Sequence, residues 1–240
     1  LKNKLFTILG DDSWDDFSDR WDKLLDKLES TKLDKTKFLR YYTIFKNKEV
    51  IAEKNLYTEI SSNENKYGLN SPEIYLENIT KAVDYLIQIK NNQNPLVRGE
   101  KIPVLDYINK ISSQSKQQIP LTMKLWEVST NLSDQNILIN GLKLIESFIF
   151  LNKILKEYTG EIETRFNSWC INLPERDVNA ANEYLKSERN SLISSRTTEI
   201  ELELHNADLR SQSKNFIKWC LVRMENYLQD ITDPNSTYSY

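Results

Sequence analysis

The chain has 240 residues, 39% of them apolar and 10% aromatic, which is enough to bury one large core or two modest ones. The chain has 32 Lys and Arg and 35 Asp and Glu. The resulting net charge of -3 creates no overall positive field that would attract a polyanion or an anionic membrane. Five Gly and six Pro are too few for a β-sandwich or a glycine-rich dinucleotide loop. The composition therefore predicts an all-α fold, an irregular bundle of about ten helices without a sheet.

The first helices are predicted from the start of the chain. Apolar residues at helical spacing over residues 1–9 indicate that the chain opens inside a helix, and we expect it to be a piece of a longer protein. The clearest amphipathic helix covers residues 14–28, after a start signal at Asp11, Asp12 and Ser13. Its apolar face is predicted to carry Trp14, Phe17, Trp21, Leu24, Leu25 and Leu28. Its opposite face, predicted to be solvated, carries Asp15, Asp16, Asp19 and Asp22.

A basic segment follows between residues 32 and 54, where seven basic side chains outnumber three acidic ones. Basic and aromatic residues together can follow a phosphate backbone, so Arg40, Lys46, Lys48 and Lys54 are candidate contacts to DNA. The aromatic residues of this segment fall at helical spacing, which favours a core helix with a solvated basic face. The aromatic residues predicted to point inward are Phe38, Tyr41, Tyr42 and Phe45.

A polar stretch over residues 91–99, with Pro95 and Gly99, interrupts the helical pattern. It is a candidate hinge or domain boundary, or an ordinary surface loop. As a boundary it would separate an N-terminal helical part, 1–92, from a C-terminal bundle, 93–230, built around a long helix near 133–159. The last ten residues, 231–240, are predicted to be a linker.

The remaining helices follow from apolar periodicity and start signals. Ser71 before Pro72 and Glu73 predicts a capped helix start, and Gly160 is predicted to end the long helix in a left-handed conformation. Polar residues interrupt the apolar stretch at 137–155, so it is predicted to be a core helix, without membrane association. The predicted helices cover 1–9, 14–28, 34–46, 53–60, 72–89, 104–112, 120–130, 133–159, 162–171, 177–185, 198–205 and 213–228.

Reactive residue types are sparse. Cys170 and Cys220 have neither disulfide-framework nor metal-ligand spacing, and each follows a tryptophan. We expect two buried thiols in a reducing cytoplasm, with Trp169 and Trp219 packed in the core. His205 is the only histidine, and Leu202 occupies the position at which a di-iron Glu-x-x-His motif needs glutamate. The sequence therefore assigns no catalytic, cofactor or metal residue.

The order of the helical landmarks resembles the middle region of GmrSD-type modification-dependent restriction endonucleases. Residues 1–3 resemble the end of the Asp-Leu-x-Lys-Asn segment that closes the ParB-like domain of that family. Residues 38–42, FLRYY, resemble its "flry" stretch after a tryptophan-bearing helix, and Leu56 and Tyr57 match the "LY" that follows. Residues 216–228, FIKWCLVRMENYL, resemble the helix before the HNH-type nuclease domain.

This resemblance implies a restriction or anti-phage protein whose N-terminal domain hydrolyses nucleotide and whose C-terminal domain cuts DNA. Neither the Asp-Gly-Gln-Gln-Arg motif nor a Glu-His-Ile step occurs in this chain. The expected role is therefore a non-catalytic region without a cofactor, whose partners are the flanking domains of the same polypeptide and possible DNA. The alternatives are an unrelated helical interaction or scaffold module, or a small-molecule enzyme in a helical fold.

Overall fold

The computed structural model describes residues 1–9, 14–111, 116–155 and 159–196, and short stretches at 198–199, 201–202, 214, 217–218 and 220–222. In these residues the fold is all-α, as predicted, with no strand and one isolated bridge between Gln93 and Lys101. The predictions for residues 11–13, His205, Trp219 and the linker 231–240 lie outside this description, as do most of those for 203–228.

The described helices keep the predicted order. In chain order they are α1 (Lys2–Leu9), α2 (Trp14–Ser30), α3 (Lys35–Tyr42), a π-helix (Thr43–Asn47), α4 (Glu53–Ser62), α5 (Glu64–Tyr67), α6 (Pro72–Lys90), α7 (Pro103–Ile111), α8 (Ile119–Leu132), α9 (Gln135–Leu155), α10 (Thr159–Asn172) and α11 (Val178–Ser194).

Aspartate side chains start three of these helices. The Asp34 carboxylate accepts hydrogen bonds from the backbone N–H groups of Thr36 and Lys37 at the start of α3, and Asp134 and Asp177 act in the same way at α9 and α11. Each cap satisfies donors that have no partner within the helix. At α6 Pro72 occupies the first turn, but the Ser71 side chain makes no cap hydrogen bond, so that part of the prediction is wrong.

Several helix boundaries differ from the sequence prediction. The helix expected at 34–46 changes to π-helical geometry after Tyr42 and ends at Lys48, which has a positive φ of 61°. Gly160 lies in the first turn of α10 and is not among the residues of positive φ, so its predicted role as a left-handed cap is wrong. α11 continues to Ser194, nine residues beyond the predicted end, because Leu192 extends its buried face.

One continuous cluster of buried apolar side chains runs from Leu5 on α1 to Leu192 on α11. α9 is central, as predicted, and packs against α7, α8 and α11. The cluster includes helices on both sides of residue 92, and α6 packs directly on α8. The division at residue 92 stays a prediction, because this shared core neither requires nor forbids a hinge there.

The predictions for Trp21, Trp169 and the aspartates of α2 are confirmed, whereas the buried positions expected for Trp14 and Cys220 are wrong, since Trp14 is exposed and Cys220 is only partly buried. Trp169 and Cys170 are buried, and the Trp169 ring packs edge-on against Phe148 with ring centroids 5.0 Å apart. The four predicted aspartates of α2 are exposed. Trp14 differs from the rest of its predicted apolar face, because it is 44% exposed and stacks on Phe6. No described helix combines the length and apolar character needed to cross a membrane.

α8 and α9 approach each other closely at Gly141. A Cβ atom added to Gly141 would lie 2.2 Å from one Leu125 methyl carbon and 2.8 Å from its Cγ. Leu125 is completely buried, so it has little room to move aside. The missing side chain at Gly141 is therefore a packing requirement of this helix pair.

We expect Gly141→Ala to lower the free energy of unfolding by about 1–2 kcal/mol, the overpacking penalty less the gain in helix propensity. Urea unfolding of the purified chain measures this difference. Gly160→Ala is the matched control, because a Cβ there meets nothing within 4 Å. In a Leu125→Ala background the Gly141 substitution should become neutral or favourable, and an unchanged penalty there would contradict the close-approach explanation.

Candidate functional site

The four candidate DNA contacts of the basic segment lie on three successive elements. Arg40 lies on α3, where its Nε donates a 2.9 Å hydrogen bond to the carbonyl oxygen of Ile51 and its guanidinium pairs with Glu163 of α10. Both partners of this ion pair are mostly buried. Arg40 therefore joins α3 to α10 through a partly buried ion pair.

Two of the three lysines also pair with carboxylates of the same chain. The Lys46 ammonium lies 2.7 Å from Glu127 on α8, and the Lys48 ammonium lies 2.8 Å from Glu175 in the connection between α10 and α11. Lys54 on α4 is exposed and makes no ion pair with another described residue. Contact with DNA stays a prediction for all four residues, and Lys54 is the one that has no carboxylate partner among the described residues to exchange for a phosphate.

A fifth basic residue, which the sequence reasoning missed, lies between these pairs. The Lys124 side chain on α8 is only 2% exposed, and its ammonium is 2.9 Å from Glu175 and 3.4 Å from Glu127. The two carboxylates thus each bind Lys124 and one outer lysine. We call Lys46, Lys48, Lys124, Glu127 and Glu175 the lysine network.

The lysine network is bordered by an aromatic ring and a thiol. Lys46 and Lys124 place their ammonium nitrogens 5.9 Å and 5.5 Å from the ring centroid of Phe45, within the range of cation–π attraction. Burial raises the pKa of the nearby Cys170 to about 12, although the Lys124 charge opposes this shift. Cys170 is therefore an uncharged thiol at neutral pH, in agreement with a packing role.

The charges of the network determine how Glu175 titrates. Partial burial alone would raise the pKa of Glu175, but the ion pairs with Lys48 and Lys124 outweigh this effect and hold the pKa below its ordinary value. Glu175 is thus a carboxylate at neutral pH. An isolated buried ammonium is strongly disfavoured. The negative charge of Glu175 is therefore a condition for burying Lys124.

The lysine network connects three segments of the chain through ion pairs. Its five members come from the π-helix and its C-terminal cap, from α8, and from the connection between α10 and α11. Among the described residues, no group of three or more His, Cys, Asp or Glu side chains is arranged to hold a metal ion. What the network can do chemically is hold three segments of the chain in register through opposite charges.

A signal for Lys124 is present in the sequence. It is the one charged residue in the run IPLTMKLW at the start of α8, and Glu127 follows three residues later on the same helical face. A lysine inside a helix that is apolar on all sides indicates a buried ion pair. No local pattern identifies Glu175, because 48 residues separate Glu127 from it and only the packing of α10 on α8 brings them together.

Comparison of the chain with family models, curated proteins and solved structures finds no match. The functional interpretation therefore depends on this geometry and on the resemblance of the helical landmarks.

We expect Glu175→Gln to lower the free energy of unfolding by about 1–3 kcal/mol, because it leaves Lys124 with only the more distant Glu127. The value is below that for a fully buried pair, since Glu175 is a third exposed. Urea unfolding measures it, with Glu77→Gln as the control. Glu77 pairs with Lys81 on the surface of α6, so its loss should change stability by less than about 1 kcal/mol.

A double-mutant cycle separates the ion pair from other effects of the substitution. In a Lys124→Met background, Glu175→Gln should be nearly neutral, because the ammonium that needs the carboxylate is gone. Equal effects of Glu175→Gln in the two backgrounds would show that the pair is not coupled.

The lowered pKa of Glu175 also predicts how stability depends on pH. A carboxyl group whose pKa is lower in the folded chain stabilises the fold above its unfolded pKa, about 4.3, and loses this contribution as pH falls through the folded value. The stability difference between the wild type and Glu175→Gln should therefore be largest at neutral pH and shrink below about pH 4. Urea unfolding at several pH values tests this, and a difference that grows on acidification would contradict it.

Proposed function

We propose that this chain is the non-catalytic helical middle region of a GmrSD-like restriction or anti-phage protein. In this role it couples a nucleotide-hydrolysing N-terminal domain to a C-terminal nuclease domain. Its own contribution is mechanical, and its partners are the flanking domains and the DNA that the nuclease domain engages. The nucleotide-hydrolysing and nuclease activities of the parent, a middle region that holds no cofactor, and a cytoplasmic location are parts of this proposal.

The observation that carries the proposal is the continuity of the interior. One apolar cluster extends from α1 to α11, and the lysine network joins the π-helix near the N-terminal end to the connection before α11. A close-packed body transmits displacement, because its side chains have few voids into which to relax. A helical body with these ties is suited to keep two attached domains in a fixed relation.

The residues on which the resemblance depends fit such a role. In the FLRYY stretch Phe38, Tyr41 and Tyr42 are core residues, and Arg40 joins α3 to α10. Burial raises the pKa of Tyr41 and Tyr42 above the ordinary value, so both remain neutral phenols at physiological pH. The FLRYY residues of this chain therefore serve packing, which fits a mechanical role.

The second candidate is an independent helical interaction or scaffold module, and an open apolar pocket of about 460 Å³, lined by Leu25, Leu39 and Tyr57 among others, favours it. The coding sequence on either side of the chain separates the two candidates. The GmrSD-like proposal requires an Asp-Gly-Gln-Gln-Arg motif upstream of Leu1 and a Glu-His-Ile-like step soon after Tyr240. If neither motif is present, the scaffold candidate replaces it.

The biochemical test uses the isolated chain and supercoiled plasmid DNA. With Mg²⁺ and a nucleoside triphosphate, we expect neither nicking nor nucleotide hydrolysis above a buffer control. The matched control is the Glu127→Gln variant, because Glu127 is a partly buried carboxylate of the lysine network. Metal-dependent nicking by the wild type that a correctly folded Glu127→Gln variant lacks would overturn the non-catalytic role.

The predicted DNA contact is tested by salt dependence in the full-length protein. If Lys54 contacts a phosphate, Lys54→Gln should reduce the slope of log affinity against log salt by about one unit. Lys46→Gln and Lys48→Gln should change stability more than this slope, because their ammoniums already pair with Glu127 and Glu175. An unchanged slope for Lys54→Gln would assign this residue to the solvated face.

A further inference from the structure

A polar pocket lies between the C-terminal end of α6 and the start of α7. Its volume is about 460 Å³, within the range of pockets that hold small ligands. It is lined by residues 90–93 at the end of α6, by residues 99–101 of the following loop and by Asp106 of α7. Every lining residue except Gly99 carries a charged or amide side chain, so the pocket suits a polar ligand.

Hydrogen bonds across its base close the loop that forms this pocket. The backbone N–H of Ile102 donates to the carbonyl oxygen of Asn92 at 3.1 Å, and the N–H of Asn94 donates to that of Glu100 at 2.9 Å. These bonds hold the two ends of the polar segment 91–99 together. The backbone that presents the lining side chains is therefore organised before a ligand arrives.

A buried side chain also holds Glu100 in place. Asn94 is 6% exposed, and its Nδ2 donates a 2.7 Å hydrogen bond to one carboxylate oxygen of Glu100. Its Oδ1 accepts a 2.9 Å hydrogen bond from the backbone N–H of Leu96, which fixes the orientation of the amide. The other oxygen of Glu100 makes no hydrogen bond with a described residue, so a ligand can bind it.

The polar pocket holds ammonium and carboxylate groups that stay apart. Lys90 and Lys101 supply two exposed ammonium groups, and Glu100 and Asp106 supply two carboxylates. Lys90 donates a 2.6 Å hydrogen bond to the carbonyl oxygen of Ser30, but neither lysine makes an ion pair with a described residue. Opposite charges that stay apart around one pocket are complementary to a ligand that carries both.

We propose that this pocket binds a small zwitterion, a free α-amino acid. The ammonium groups of Lys101 and Lys90 bind its carboxylate, and the Glu100 oxygen that Asn94 leaves unused binds its ammonium. The amide side chains of residues 91–93 offer donors and acceptors to a polar side chain of the ligand. This site is separate from the lysine network, and the proposal does not depend on the connector role of the chain.

Glycine is the smallest probe of such a site, and acetate and methylammonium each carry one of its two charges. Binding is measured by NMR on the isotope-labelled whole chain, through the backbone amide shifts of residues 91–102. Glycine should produce saturable shifts there, with an affinity in the millimolar range because the pocket is open to solvent. Each charged contact contributes about tenfold in affinity, so acetate and methylammonium should bind about tenfold more weakly.

Two conservative substitutions test the assigned charges. Lys101→Gln and Glu100→Gln should each weaken glycine binding about tenfold. The glutamine at position 100 keeps an oxygen that can accept from Asn94, so the loop should keep its shape. Lys143→Gln on α9 and Glu183→Gln on α11 are the matched controls, because both residues are exposed and lie outside the pocket. Neither control should change the affinity.

The outcomes separate the zwitterion site from simpler ones. Saturable glycine shifts at residues 91–102 that both pocket substitutions weaken, and neither control changes, support the proposal. Acetate that binds as tightly as glycine would show a simple anion site, and methylammonium that does so would show a cation site. Either result overturns the proposal, as does glycine that fails to saturate or is insensitive to Lys101→Gln and Glu100→Gln.

Discussion

The charge of Lys124 is the constraint on which the arrangement of these helices depends. An ammonium with 2% of its side chain exposed requires opposite charges close by, since solvent cannot stabilise it. Glu127 supplies one from the same helix, but Glu175 must come from the connection between α10 and α11. Lys46 and Lys48, which are exposed at the π-helix and its C-terminal cap, pair with the same two carboxylates. A single buried charge therefore fixes the register of three segments that are distant in sequence.

The buried charge of Lys124 and the apolar core both favour the same arrangement of the helices. Core packing brings α10 against α8, and the network then permits few alternative positions, because displacing Glu175 would leave Lys124 without its nearer partner. We infer that the lysine network contributes more to the specificity of this arrangement than to net stability, as buried ion pairs do in some proteins. A body held in one arrangement suits the proposed role of connector between domains.

Periodicity predicted most of the fold, because most of these helices bury one face. Phe38, Tyr41, Tyr42 and Phe45 are inward as expected, and α9 is the central helix. The prediction failed at Gly160, where a residue type that often ends a helix lies in the first turn of one. It also failed at Thr43–Asn47, where the backbone becomes π-helical although the spacing of apolar residues does not change. The candidate site was predicted only in part. Its exposed lysines are visible in composition, whereas the pairing of Lys124 with Glu175 depends on tertiary packing that no local pattern encodes.

Native-state hydrogen exchange of the backbone amides, in the wild type and in Glu175→Gln, tests the central claim most directly. If the buried charge couples the three segments, the substitution should lower protection together, and by a similar free energy, in the π-helix, in α8 and in the connection between α10 and α11. Loss of protection confined to the amides around residue 175 would contradict this account, since it would show that Glu175 holds only its own loop and that Lys124 does not need it.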